Sequence, residues 1–217
     1  MNVAHADKAA KWWLHHVKHT REYVNGVFNK KPAQAQVALK ELTDGVAQWG
    51  QIVGNPNAVK LMKEHTLLAK ALADKAAANA TPTETNGIVA KLLQNARLQA
   101  EFYDSIYNDF PKDTWSDLFK DHIKSTGEYI LAAARGDMNA FNREWVKTSK
   151  NAQELAAFSA HAFKWSAPKD VQPVNYQPTA EVVDRPILGE DTEEAGIDLE
   201  EIGRDRGDEY DLAGDVF

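Results

Sequence analysis

Over the first 165 positions apolar and polar residues follow one another with a helical period, and the periodic segments are separated by Pro32, Pro56, Pro82 and Pro111. The chemistry around the prolines is that of helix starts. Thr81-Pro82-Thr83-Glu84 reads as an N-cap, a proline at the first helical position and a capping-box glutamate, and Asn55-Pro56 repeats the cap-then-proline order. Gly54 and Gly136 are placed to end helices in a left-handed conformation, and Asp137 can cap the helix that follows. Six helices are predicted, over about 7–29, 34–53, 57–79, 83–108, 115–135 and 138–163.

A second regularity overlies the first. HVKHTREYV, from His16 to Val24, returns as HIKSTGEYI from His122 to Ile130, with five of nine positions identical and two exchanging Val for Ile. A looser copy, HTLLAKALA, runs from His65 to Ala73. On a helix His122, Thr126 and Tyr129 share one stripe, while Lys124 and Glu128 pair on a face about 100° or more away. The repeat therefore predicts a polar-aromatic inner face and a salt-bridged outer one.

Each repeat histidine is followed at nearly constant distance by a short polar residue: Asp44 lies 28 positions after His16, Asn95 30 after His65 and Asn151 29 after His122. Such spacing is that of one αα-hairpin occurring three times. With short loops, sequential helices become antiparallel neighbours. The expected fold is all-α: a body over residues 1–165 forming an up-and-down bundle of six helices from hairpins at about 7–53, 57–108 and 115–163. A four-helix bundle with one hairpin packed alongside is the alternative.

Composition changes this picture only beyond Trp165. Residues 1–165 hold 21 Lys and Arg against 17 Asp and Glu, a net charge of +4, whereas residues 166–217 hold 4 against 15, a net charge of −11, within an overall −7. Pro168, Pro173, Pro178 and Pro186 break that segment, so it reads as an extended acidic tail rather than a domain. Its scattered apolar residues, Val174, Tyr176, Ile187, Leu188, Ile197, Leu199, Ile202, Tyr210, Leu212 and Phe217, are candidate anchors for a protein partner, either another copy or another subunit of an assembly. The chain has no cysteine, which excludes thiolate metal sites and cysteine nucleophiles. It shows neither a signal peptide nor a membrane-spanning run, which points to the cytoplasm or the interior of an assembled particle. Its basic residues are scattered and balanced by acids, so no nucleic-acid partner is expected.

Two groups of side chains could carry chemistry. His16, His65 and His122 lie on inner stripes, and the reading adopted is a buried polar layer in which each is hydrogen-bonded to a carbonyl or to Asp44, Asn95 or Asn151 across its hairpin. The alternative is a metal-binding or small catalytic bundle, since imidazole is a common metal ligand. His15, His19 and Glu22 share i, i+4, i+7 spacing and form a lesser candidate for a surface metal. Glu64 and Asp121 directly precede their histidines and point away from them. No phosphate loop, nucleophile elbow or His-Glu-x-x-His motif is present, so no catalytic residue and no cofactor is assigned.

The run Trp13 to Arg21, WLHHVKHTR, and the later pattern Leu118-Phe119-x-Asp121-His122-Ile123, with Gly136-Asp137, Phe141, Trp145 and Asn151-Ala152, resembles a loose family of short helical-bundle proteins of bacteria and large DNA viruses. The resemblance covers most of residues 10–160. It implies a helical bundle and brings no established activity with it.

Together these features favour a non-enzymatic structural protein, a helical block of a larger assembly such as a virion or another protein shell, with the tail as tether. Deletion of residues 166–217 should leave the helical circular-dichroism signal of the body intact while abolishing assembly; loss of helicity would place the tail in the core.

Overall fold

The computed structural model describes residues 3–165, and the tail with its ten candidate anchors lies outside the described residues. Six helices follow one another: α1 (Val3–Phe28), α2 (Pro32–Val53), α3 (Pro56–Ala77), α4 (Pro82–Ile106), α5 (Lys112–Arg135) and α6 (Met138–Trp165). Each lies within a few residues of its predicted range. Three of the separating prolines, Pro32, Pro56 and Pro82, take the first helical position, where a missing N–H costs nothing.

The caps form as the side chains dictate. Asn55 accepts from the Asn57 amide, Thr81 and Glu84 close a reciprocal capping box, and Asp137 Oδ1 accepts from the Ala140 amide at 2.9 Å. Gly54 and Gly136 end α2 and α5 at φ of 72° and 68°. Where the sequence offers no glycine, Lys30, Asn79 and Asp109 take the left-handed conformation instead.

Every helix packs on the next, and α6 returns to α1, so the six close into a ring. This excludes the four-helix alternative. The odd-numbered helices α1, α3 and α5 also touch one another inside the ring. Joined through short loops to antiparallel neighbours, these three run in one direction, which lets equivalent repeat positions meet at one level.

The core is aromatic at one end. Trp13, Trp49 and Trp115 are wholly buried, with Trp13 to Trp49 centroids 5.7 Å apart and Trp13 to Trp115 6.0 Å. Two of the three indoles find hydrogen-bond partners across the bundle: Trp13 donates to Ser159 Oγ at 2.8 Å and Trp49 to the Tyr103 hydroxyl at 2.7 Å. Tyr23 donates to Asp74 Oδ1 at 2.6 Å, and Arg21 stacks over the Trp145 ring at 4.4 Å, tying α1 to α3 and α6. No helix among the described residues is long and apolar enough to cross a membrane.

Gly26 sets the approach of α1 to α2. A Cβ there would lie 2.6 Å from the Ala35 backbone nitrogen and 2.8 Å from its Cα, atoms that cannot rotate away. Gly87 is also helical but has nothing within 4 Å of its missing Cβ. Gly26→Ala should therefore destabilise the protein by about 1–3 kcal/mol, and Gly87→Ala should stabilise it by about 0.5–1 kcal/mol through helix propensity. Denaturant midpoints of the two variants, compared with wild type, check both signs.

Candidate metal centre

α1, α3 and α5 each deliver one histidine to the same level of the interior. The ring centroids form a nearly equilateral triangle, with 5.7 Å between His16 and His65, 5.9 Å between His65 and His122, and 6.2 Å between His16 and His122. One nitrogen from each ring lies within 4.8 Å of the other two, and all three residues are buried. The three hairpins thus meet with approximate threefold symmetry, and the histidines mark the axis.

The levels on either side of the triangle are unlike. Three positions before each histidine stand Trp13, Met62 and Phe119, each fully buried. Trp13 meets His16 at 5.9 Å and His122 at 5.7 Å, while Phe119 meets His65 at 4.9 Å and His122 at 5.9 Å, so large side chains floor the site. Four positions after each histidine stand Thr20, Ala69 and Thr126, all small, and here a cavity of about 10 Å³ opens. That is room for about one water centre. Leu72, Leu92, Ile123 and Ile130 complete much of its wall.

Desolvation governs the electrostatics. Burial holds His16 well below its ordinary pKa, a trend that the neighbouring His65 and His122 reinforce. It lowers His65 to about 3 and His122 to about 4. All three rings are therefore neutral near pH 7, the form in which imidazole binds metals. A hydrogen bond to the Asn151 side chain pulls His122 the other way. His65 Nδ1, by contrast, is buried without a hydrogen-bond partner.

Of the amides expected to serve the histidines, Asn151 reaches His122 and Asn95 does not, and both also tie their hairpins together. Asn95 Nδ2 donates to the Leu61 carbonyl at 3.1 Å and Asn151 Nδ2 to the Leu118 carbonyl at 2.9 Å, in each case the residue four before the histidine. Gln99 fills the Asn95 oxygen at 2.8 Å. In the first hairpin the same register is held by Trp12, whose indole donates to the Gly45 carbonyl at 2.6 Å. Asp44 is the corrected residue. It is exposed and pairs with Lys40, because the inward position of α2 falls one residue later, on Gly45. Counting from the histidines gave 28, 30 and 29; the contacts show that 29 belongs to the first hairpin too.

His15 and His19 lie on another face of α1, with ring centroids 4.2 Å apart. Their third neighbour is Glu41 of α2, whose carboxylate lies 3.7 Å from His15 Nε2. Glu22 instead faces the other side of His19, at 2.7 Å from Nδ1. Sequence spacing could find Glu22, which is local, but not Glu41, which needs the α1 to α2 contact. The cavity level at Thr20, Ala69 and Thr126 was likewise missed, although the repeat alignment already stacked those residues.

No family model matches this chain, and comparisons with curated proteins and with solved structures give no match.

In metal-free protein the buried rings make stability depend on acidity. Below about pH 6.5 the unfolded chain takes up protons that the folded rings refuse, so stability should fall with pH. The loss runs down to about 4 for His122 and about 3 for His65 and is absent above pH 6.5. Each ring contributes a slope of about 1.4 kcal/mol per pH unit in that window. Urea unfolding at pH 7, 6 and 5 should show a shallower slope for His122→Leu than for wild type.

Proposed function

We propose that the bundle is a metal-binding protein that holds one divalent transition ion between His16, His65 and His122. The observation that carries this reading is the convergence of three buried, neutral imidazoles from three helices, with one nitrogen of each within 4.8 Å of the others. In a tetrahedral centre with bonds of 2.0–2.1 Å, ligand nitrogens stand about 3.4 Å apart. A small inward movement of the rings reaches that distance. A polar layer serving only the fold would leave its nitrogens hydrogen-bonded, whereas His65 Nδ1 is stranded at a cost of about 1–3 kcal/mol.

The donor set selects the ion class. Three imidazoles without a carboxylate or a thiolate suit zinc, cobalt, nickel or copper, and do not suit magnesium or calcium, which require oxygen ligands. Three protein ligands and a free fourth position are also the pattern of reactive rather than purely structural zinc sites. The role as a block in an assembly rests on the acidic segment after Trp165 and is independent of this site, so a metal-loaded bundle can serve as such a block.

Metal analysis of purified, metal-reconstituted protein tests the reading. One ion per chain is expected, and at a free concentration a hundred times Kd it should add about 2.7 kcal/mol to stability. His65→Ala and His122→Ala should each lose the ion, while His15→Ala/His19→Ala, which removes the surface cluster, should keep it. No stoichiometric metal in wild type, or full retention by His65→Ala and His122→Ala, overturns the proposal.

A further inference from the structure

Resting on that reading, we infer that the fourth coordination position faces the cavity at Thr20, Ala69 and Thr126 and takes one small exchangeable anion, hydroxide or an inorganic ion of similar size, hydrogen-bonded by the Thr126 hydroxyl. Direction comes from the two unlike levels. On the floor side Trp13 and Phe119 lie against the imidazole rings and leave no room for a further ligand. On the other side the small residues four positions on open the cavity of about 10 Å³. A ligand completing the metal's shell fits only there, and its size is set by that volume.

Charge supplies the ligand's sign. Three neutral imidazoles leave a divalent ion with its full charge, and no carboxylate lines the cavity among the described residues. An uncompensated charge in a buried site is costly, so an anion in the open position is favoured over a neutral ligand. The hydroxide form fits the same demand, because coordination lowers the pKa of bound water towards 7.

The two threonines at this level are not equivalent, which makes the assignment testable. Thr20 Oγ1 already donates to the His16 carbonyl at 2.9 Å. Thr126 Oγ1 is buried, has no partner and lines the cavity. Its hydroxyl is therefore free to donate to an anion, while that of Thr20 is not. Thr20 and Ala69 are the half-buried members of the lining and mark the side on which a small ligand enters.

The test uses the full chain loaded with cobalt(II), whose visible spectrum reports coordination. Fluoride, close to hydroxide in size, should shift the spectrum of wild type, and azide and acetate, which are bulkier, should not at the same concentration. Thr126→Val should weaken fluoride binding about tenfold, as expected for loss of one hydrogen bond to a charged group, with metal stoichiometry and helicity unchanged. Thr20→Val should bind fluoride like wild type. A cobalt spectrum that fluoride leaves unchanged overturns the open position while the metal site itself stands. Equal fluoride affinity in Thr126→Val and wild type overturns the role of Thr126. Failure to bind cobalt at all defeats the underlying reading, and the inference with it.

Discussion

Three imidazoles taken out of water at one level are the constraint on which the rest of the bundle depends. Each ring has one donor and one acceptor when neutral, and a stranded group costs about 1–3 kcal/mol. Against a total stability of about 5–15 kcal/mol for an ordinary domain, even the one stranded nitrogen of His65 is a sizeable cost. An apolar residue at each position would remove it, and the surrounding core is rich enough in Trp, Phe, Leu and Ile to have supplied one. The arrangement is instead supported from below by Trp13, Met62 and Phe119, all fully buried, and left open above.

Holding three rings at one level requires that three hairpins share a register to within a fraction of a helical turn. The cross-hairpin bonds do this. In every hairpin a side chain on one helix meets a backbone carbonyl on the other, and the odd-helix residue is always four before the histidine: Trp12, Leu61 or Leu118. Two hairpins use an asparagine on the even helix; the first inverts the direction and uses an indole on the odd helix. Gly45 permits this, because a Cβ there would already stand 3.5 Å from Trp12 Nε1. The same geometrical tie is thus made with different chemistry, and a carbonyl can accept a second bond without leaving its helix.

These two halves of the architecture were unequally legible in the sequence. Caps, prolines and left-handed glycines act within a few residues, so Thr81, Asn55, Asp137, Gly54 and Gly136 could be assigned by inspection, and the six helices with them. The stripe carrying His16, His65 and His122 was also legible, because the repeat aligned it. What Asp44 lacked was a long-range contact: nothing local distinguishes it from Gly45, and a short polar residue is the natural guess where the other hairpins have asparagine. Glu41 was hidden for the same reason, since its place beside His15 depends on how α1 meets α2. The cavity is harder still to see in a sequence. It is an absence, produced when Thr20, Ala69 and Thr126 coincide, and none of the three is unusual alone.

His15 and His16 are neighbours in the chain and yet serve opposite environments, which shows how little the residue type decides. His15 points to a cluster in which Glu41 and Glu22 supply negative charge, but its side chain and that of Glu41 are 38% and 42% exposed. Solvent there screens the carboxylates, and two mobile side chains must be ordered before an ion is held. His16 points to a cluster without any negative charge, but its partners are fixed by packing on every side but one. Preorganisation favours the inner cluster and charge favours the outer. A transition ion gains more from rigid imidazoles than from a screened carboxylate, provided something else neutralises it. Among the described residues nothing supplies that charge to the inner site, and the face where the side chains are small is the one left open to it.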